Sequence, residues 1–409
     1  MKTEKLYYKN SYQKEFTSKV IDVIKIKEKY GIILEKTCFY PEGGGQLGDK
    51  GKLNKIEVVD TQIIEGEIVH ITEKSMEKGE KIKGKIDWGR RYAFMQNHTA
   101  QHILSEGFQK VLGANTFSVH LGENSLTLDI AIPKLSWKDV KKVEETVYKI
   151  ISENREIKTH WVNKDEIDKF PLRKQPKVSE NIRIVEVDKF DYSPCGGTHL
   201  RNSGELGIIK VLKWIKIKNG FRVDFICGER ALHDYQWKNR MILDIAEFLA
   251  IKKEDLKDSV EKLFEESKIQ RKQIEELSYK ILEDKFMTEI NRSQKIDGIP
   301  VVKLIFKDAN FNIIRKIITK LIEQEKCIIL TANMVGSKAN FIFARSSFGN
   351  EIKVNMNTLL KLYTSKIGGK GGGKPNFAQG GANVKVNDDE FNIIAESISH
   401  KLISKKLST

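Results

Sequence analysis

The first part of the chain alternates between apolar and polar residues with the period of two that is typical of half-buried strands. Four segments rich in β-branched residues show this pattern, and glycine or charged clusters separate them: KVIDVIKI, YGIILEKTCFY, KLNKIEVVDTQI and GEIVHITE. Short strands joined by turns at such close spacing predict a small β-barrel over residues 1–86.

A helical pattern follows. The segment DWGRRYAFMQNHTAQHILSEGFQKVLG has Asp87 at its start as a cap and Gly113 as its stop. Strands are predicted in TFSVHLGENSLTLDIAI, IRIVEV, LGIIKVLKWIKI and FRVDFICG, and SWKDVKKVEETVYKIISEN is an amphipathic helix with its valines on one side. This mixture predicts an α+β domain over residues 87–245.

The charged stretch that follows has apolar residues three and four apart, which predicts a helix of about 55 Å. Its apolar seam passes through Ser267 and Gln270, so both a short coiled coil and a solvated connector stay open. We assign residues 246–294 to this helical or coiled-coil spacer.

The last part combines strands, in IPVVKLIFKD, CIILTANM and ANFIFARS, with helices predicted at 311–325, 355–366 and 388–405. Residues 295–409 therefore form a C-terminal α/β domain. The fold class is that of an α+β multidomain protein.

Charge and composition indicate which classes of partner and which cellular compartment suit the protein. Lys and Arg number 71 against 56 for Asp and Glu, a formal net charge of +15, which favours a nucleic acid unless it only reflects a genome's base composition. No apolar run has the length of a membrane span, and the start lacks the apolar region of a secretory signal. Four scattered cysteines suit a reducing compartment. We expect a cytoplasmic protein without membrane contact.

Two short segments carry metal-binding residue types. In NHTAQH, His98 and His102 stand four apart and share one helix face, which fits a metal site and equally an ordinary amphipathic helix. In SPCGGTHL, Cys195 and His199 flank two glycines, so a thiolate and an imidazole share one tight turn. Together the two pairs favour a tetrahedral zinc site, provided that folding unites them.

NHTAQH followed by CGGTH resembles the zinc-binding signature of alanyl-tRNA editing domains, which occur inside alanyl-tRNA synthetases and as free-standing proteins. The resemblance implies one Zn²⁺ bound by His98, His102, Cys195 and His199. The editing domain of threonyl-tRNA synthetase has a similar core, but the complete Cys-Gly-Gly-Thr-His form favours the alanyl branch.

The segment TCFYPEGGGQLGD resembles the glycine-rich segment of the same proteins, with Gly44, Gly45, Gln46 and Asp49 matching its second half. Successive glycines let backbone N–H groups approach a substrate closely. By itself the segment also fits a β-turn. Beside the zinc signature we expect Gly44, Gly45 and Asp49 to bind substrate as part of a pocket wall.

The segment TFSVHLGE resembles the strand that borders the amino-acid pocket. Ser118 and His120 alternate with apolar neighbours and share a face, so we expect Ser118 to contact substrate. Synthetase-embedded domains usually carry Gln at the position of His120, which leaves its part in substrate choice open. If the protein hydrolyses an ester, the attacking water could be oriented by any of four groups, which the sequence does not rank: Thr37, Gln46, His120 or a ribose hydroxyl of the substrate.

The segment GGKGGGKP fits the first seven positions of a P-loop, but Pro375 stands where Ser or Thr must bind magnesium, which excludes ATP hydrolysis. With its continuation PNFAQGG it resembles the signature of the DHH-associated domain that ends alanyl-tRNA synthetases and the long editing proteins, with Lys374 in place of the usual Arg. We expect a phosphate cradle for tRNA, with a flexible loop as the alternative. The cradle comprises Lys370, Gly371, Gly372, Gly373 and Lys374.

The order of these segments is that of the large free-standing editing proteins, without an aminoacylating core. The resemblance implies hydrolysis of Ser-tRNA(Ala), and second of Gly-tRNA(Ala), while Ala-tRNA(Ala) is spared. A pocket shaped for alanine cannot strongly exclude the smaller glycine, and it rejects serine imperfectly. A zinc-stabilised tRNA-binding protein without catalysis and an editor of another aminoacyl-tRNA are the alternatives. No ATP or organic cofactor is implied, and a homodimer through the spacer or the C-terminal domain stays open.

Overall fold

The structure is a computed structural model that describes residues 2–123, 125–176, 180–347, 354–386, 389 and 393. Its contacts divide the chain into two compact units, Met1–Leu249 and Ala250–Thr409. The finer division into four segments stays a prediction. Within the described part of the chain, no helix is long and apolar enough to cross a membrane.

The first unit begins with a closed barrel. Its elements are β1 (Glu4–Lys5), α1 (Leu6–Lys9), β2 (Glu15–Ile26), β3 (Lys29–Leu34), β4 (Lys36–Thr37), β5 (Gly51–Leu53), β6 (Ile56–Ile64), β7 (Glu67–Thr72) and β8 (Lys81–Ile86). The strands close in the order β2-β3-β7-β6-β5-β8, and β1 pairs with β4 in parallel. Burial alternates strictly along β8, so its apolar side chains fill one face.

The remainder of the first unit contains two sheets and three longer helices within the described residues. Its elements are α2 (Trp88–Leu112), β9 (Asn115–Leu121), β10 (Leu126–Ala131), α3 (Trp137–Ser152), β11 (Ile157–Val162), β12 (Ile182–Val187), β13 (Asp191–Pro194), β14 (Ile209–Ile217), β15 (Gly220–Cys227) and α4 (Gly228–Phe248). One sheet has the order β14-β15-β10-β9, and the other has the order β11-β12-β13.

Helix α2 begins and ends where the sequence predicts. The Asp87 side chain accepts a hydrogen bond from the Arg90 N–H, and Gly113 ends the helix with a φ of 65°, a conformation that favours glycine. The helix packs against α3 and against β9, β10, β13 and β15. It is buried on nearly every side between Arg91 and Phe108, so its polar side chains there need partners inside the protein.

A buried ion pair joins the glycine-rich segment to α2. Asp49 and Arg91 are both fully buried, and the guanidinium of Arg91 binds both carboxylate oxygens of Asp49. Arg91 also donates to the carbonyl of Ser11 at 2.9 Å, and Asp49 accepts the Tyr40 N–H at 2.7 Å. Asp49 therefore fixes the segment from inside the protein, and its expected contact with substrate stays a prediction.

The second unit is built on a mixed sheet. Its elements are α5 (Leu256–Arg292), β16 (Lys295–Ile296), β17 (Ile299–Lys307), α6 (Phe311–Gln324), β18 (Ile328–Val335), β19 (Lys338–Arg345), α7 (Met356–Lys366), β20 (Lys370–Lys374) and β21 (Phe377–Ala382). The sheet has the order β16-β17-β18-β19-β21-β20, with β17 and β18 parallel. The helices predicted at 311–325 and 355–366 correspond to α6 and α7, and the helix predicted at 388–405 falls outside the described residues apart from 389 and 393.

Helix α5 has 37 residues, which corresponds to the expected length of about 55 Å. Its last turns carry Phe286 and Ile290, which are buried in a core shared with α6 and β17. Its earlier apolar side chains, Val260 and Ile274 among them, are half exposed or more. The coiled coil stays a prediction.

The C-terminal glycine run forms two paired strands, so the alternative of a flexible loop is wrong. Lys370 pairs with Gly381 and Lys374 with Phe377 across β20 and β21. A Cβ on Gly371 would lie 2.9 Å from the Leu360 side chain, because α7 packs directly on this hairpin. Gly371 and Gly373 therefore leave no room for a side chain, and both lysines remain exposed.

We expect Asp49→Asn to lower the free energy of unfolding of the first unit by about 3–5 kcal/mol, because the Arg91 charge would stay buried without its partner. All five tryptophans lie in this unit, so tryptophan fluorescence during urea unfolding reports on it alone. The control is Glu57→Gln, which breaks the exposed Lys52–Glu57 pair and should cost less than about 1 kcal/mol. Equal effects of the two variants would contradict a structural role for the buried pair.

Candidate metal centre

Folding brings the two predicted pairs of ligands together. His98 and His102 lie one turn apart on α2, and Cys195 and His199 lie in the turn that follows β13. One potential ligand atom from each residue falls within 4.8 Å of the other three. The three histidines are buried, and Cys195 is partly exposed. Such a group of side chains could hold a metal ion.

Each histidine has its Nδ1 occupied by another residue. The Nδ1 of His98 lies 3.0 Å from the amide oxygen of Gln46, and the Nδ1 of His199 lies 3.1 Å from the Thr99 hydroxyl. The Nε2 atoms of both rings are 3.3 Å from the Cys195 sulfur. The partners of Nδ1 therefore orient the rings so that Nε2 is the nitrogen available to a metal ion.

The third histidine is oriented by a carboxylate. The Nδ1 of His102 lies 2.9 Å from an oxygen of Asp191, the first residue of β13. Arg173 donates to the other oxygen of Asp191 at 2.9 Å, and the Ser193 hydroxyl donates to the same oxygen. Strand β13 thus supplies the carboxylate that holds His102, and the chain continues from this strand directly into Cys195.

The turn that carries Cys195 and His199 is closely packed. A Cβ on Gly197 would lie 2.1 Å from the His98 ring, so only glycine fits there. Arg183 donates from Nη1 to the carbonyls of Cys195 and Gly197 at 2.8 and 2.9 Å. The Gly197 N–H donates to the Cys195 sulfur at 3.3 Å. These contacts fix the direction of the sulfur.

Electrostatics favour the thiolate form of Cys195. Burial would raise the pKa of its thiol, but the surrounding imidazoles of His98, His199 and His102 lower that pKa well below the usual value. Burial would lower the pKa of His102, and the Cys195 thiolate together with Asp191 raises it to about 9. Burial lowers the pKa of His199 to about 3. The thiolate is the form of cysteine that binds metal ions.

Gln46 lies inside this network. It is fully buried, and its amide oxygen accepts the Thr198 N–H at 3.1 Å as well as contacting His98. Its amide nitrogen donates to the Thr198 hydroxyl at 2.8 Å. The glycines before it, Gly44 and Gly45, have φ values of 61° and 89°, which turn the chain so that Gln46 points inward.

Thr37, on β4, is fully buried against the barrel strand β7. Its hydroxyl is 2.8 Å from Nε2 of the fully buried His70, whose Nδ1 is 2.8 Å from the Ile32 carbonyl. Burial lowers the pKa of His70 to about 4, so this ring is neutral and donates to the carbonyl through Nδ1. The Thr37 hydroxyl therefore donates to His70, while it accepts the Phe39 N–H at 3.1 Å.

Ser118 and His120 lie on β9 with exposed side chains. The residue after His120, Leu121, forms a parallel bridge with Gln46, so the end of β9 lies beside the glycine-rich segment. Within the described part of the chain, the His120 ring makes no hydrogen bond. The residues of the expected phosphate cradle all lie on β20, in the second unit: Lys370, Gly371, Gly372, Gly373 and Lys374.

Sequence reasoning did not find three residues that orient the histidines or their partners: Thr99, Arg173 and Asp191. Thr99 directly follows His98 within the quoted segment, so a search for hydroxyls beside the ligands would have included it. Asp191 stands four residues before Cys195, but only the folded structure brings its carboxylate to His102 on α2.

Three family models match the chain in order. Residues 1–90 match the model of tRNA synthetases class II (A). Residues 182–222 match the threonyl and alanyl tRNA synthetase second additional domain, and they include Cys195 and His199. Residues 298–400 match the DHHA1 domain.

The similarity to individual relatives extends over more of the chain than these family models do. The chain is 30% identical to an alanine–tRNA ligase of Pyrococcus furiosus over 95% of its own length, and it spans 42% of that ligase. It is 32% identical to the alanyl-tRNA editing protein AlaX-L of Pyrococcus horikoshii over 98% of this chain and 99% of that protein. Because this similarity includes almost the whole of both proteins, the chain belongs to the family of alanyl-tRNA editing proteins of the AlaX-L type.

Proposed function

We propose that this protein is a trans-editing hydrolase that removes serine, and second glycine, from mischarged tRNA(Ala) and spares Ala-tRNA(Ala). One observation carries the proposal: Gln46 of the glycine-rich segment is hydrogen-bonded to His98 of the His/Cys cluster. The two segments on which the resemblance rests thus form one site. The family relation to an alanyl-tRNA editing protein supports the same activity.

The cluster suits one zinc ion. A tetrahedral zinc with the usual bond lengths would place a thiolate sulfur and an imidazole nitrogen about 3.5 Å apart. The two sulfur–nitrogen distances of 3.3 Å agree with this. Bound by all four residues, zinc would supply positive charge and a rigid link between α2 and the turn, and a closed four-ligand shell would hold no water.

The attacking water therefore needs a group outside the cluster. Gln46 already binds His98 and Thr198, and the Thr37 hydroxyl already donates to His70. His120 has both ring nitrogens free of hydrogen bonds to the described residues and stands next to the bridge between Leu121 and Gln46. We assign proton acceptance from water to an imidazole nitrogen of His120, and positioning roles to Gln46 and Thr37.

Substrate selection would depend on the same strand. Ser118 lies on the exposed face of β9 that also carries His120. A Ser118 hydroxyl that hydrogen-bonds the serine hydroxyl of the substrate would favour serine over alanine, because alanine would leave that polar group without a partner. The turned backbone at Gly44 and Gly45 would accommodate the small amino acid.

The tRNA body would be held by positive charge. The net charge of +15 and the exposed lysines of β20, Lys370 and Lys374, support phosphate contacts through the C-terminal hairpin. A cytoplasmic location agrees with this substrate. A homodimer would cover the apolar side chains that α5 exposes, among them Leu263 and Ile281.

The first test is release of labelled amino acid by the full-length protein. We expect rapid release from Ser-tRNA(Ala), slower release from Gly-tRNA(Ala), and none from Ala-tRNA(Ala) or from correctly charged Thr-tRNA. A His98→Ala, Cys195→Ala variant should lose the activity together with its zinc. Tight tRNA binding without any release would contradict catalysis and leave a tRNA-binding protein.

His120→Ala should lower kcat about 100-fold with unchanged zinc content, because a methyl side chain can neither hold a water nor take up its proton. His233→Ala is the matched control, since His233 is an exposed histidine on α4 outside the cluster. If both variants deacylate Ser-tRNA(Ala) at the wild-type rate, another group activates the water.

Asp191→Asn should weaken zinc binding about 10- to 100-fold, because the amide holds the His102 ring less firmly than the carboxylate does. Competition with a chelator of known affinity measures this. Asp188→Asn removes the same charge three residues earlier and should leave zinc affinity unchanged. A similar loss in both variants would indicate a general charge effect.

A further inference from the structure

A polar cavity of about 180 Å³ lies beside the Cys-Gly-Gly-Thr-His turn, within the first unit. One wall is the N-terminal segment with Tyr8 and Tyr12, and the other carries Arg183, His199 and Arg201. At about 30 Å³ per water molecule it has room for about six waters, which is enough for a hydrated phosphate group. None of the described residues that line it is acidic.

Arg183 is a buried cation without a carboxylate partner among the described residues. Its side chain is 9% exposed, and its Nε is fully buried without a hydrogen-bond acceptor in the described part of the chain. Because Arg183 lines the cavity and has no carboxylate partner there, the cavity favours an anion.

Arg201 adds a second cation at the mouth of the cavity. Its guanidinium lies 4.0 Å from the centre of the Tyr12 ring and forms no ion pair with a described residue. The nearby Glu205 carboxylate accepts the Tyr12 hydroxyl at 2.6 Å and the N–H groups of Arg201 and Asn202. Glu205 is thus occupied by other donors. Lys9, which also lines the cavity, pairs with Glu4.

We propose that this cavity binds a phosphodiester group of the single-stranded 3′ end of tRNA, with Arg183 and Arg201 as its cations. The inference rests on the proposed function, because the ester to be hydrolysed is attached to that end. His199 is both a wall of the cavity and a member of the cluster, so a phosphate held here fixes the distance between the ester and the cluster. Arg201 is accordingly a positioning residue.

The test uses the full-length protein and two uncharged RNA minihelices that carry the alanine acceptor stem and a single-stranded 3′ end. In the second RNA a neutral methylphosphonate replaces the last phosphodiester. We expect the wild type to bind the second RNA about tenfold more weakly, as for loss of a charge-assisted hydrogen bond. Arg201→Gln should bind the normal RNA about tenfold more weakly and should distinguish the two RNAs less than the wild type does, because only Arg183 remains.

The control is Lys25→Gln, which removes one positive charge from an exposed position on β2 outside the cavity. It should keep the wild-type difference between the two RNAs. Equal binding of both RNAs by the wild type overturns the inference, even if inorganic phosphate competes with RNA for binding to the protein. An undiminished difference in Arg201→Gln also overturns it.

A kinetic measurement separates this inference from the proposed function. With Ser-tRNA(Ala), the factor by which Arg201→Gln raises KM should be about ten times the factor by which it lowers kcat. Zinc content should stay at the wild-type value. Absence of deacylation by the wild type would defeat the proposed function, yet the binding comparison with uncharged RNA would still decide the inference.

Discussion

The site depends on the amide of one buried residue, Gln46. Its oxygen contacts His98 on α2 and accepts the Thr198 N–H, and its nitrogen donates to the Thr198 hydroxyl. The glycine-rich segment, α2 and the turn that carries Cys195 and His199 therefore meet at one side chain. A buried amide is costly unless it is hydrogen-bonded, so the same requirement that satisfies Gln46 also fixes the three parts relative to one another.

The other contacts repeat this arrangement around the cluster. Asp191 orients His102, Thr99 orients His199, and the Asp49–Arg91 pair holds the glycine-rich segment against α2. In each of these three pairs, the two partners come from distant parts of the chain. The cluster is therefore organised by the protein around it.

The local features of the fold could be predicted from the sequence, because short-range chemistry determines them. Asp87 and Gly113 mark the ends of α2, and the spacing of His98 and His102 places both on one face of it. The role of Asp49 could not be predicted, because nothing near it in the sequence indicates that Arg91 lies opposite. The hairpin in the glycine run was missed because glycine has low strand propensity. Here the strands are stabilised by the packing of α7, which is not visible in the local sequence.

The same hairpin has a consequence for association between chains. Among the described strands, β20 is at the edge of its sheet, where unpaired N–H and C=O groups could template a strand from another molecule. Three consecutive glycines offer such a strand no side chains to pack against, and a lysine at each end repels a like-charged copy. The composition that leaves both lysines of this edge exposed thus also protects the edge against aggregation.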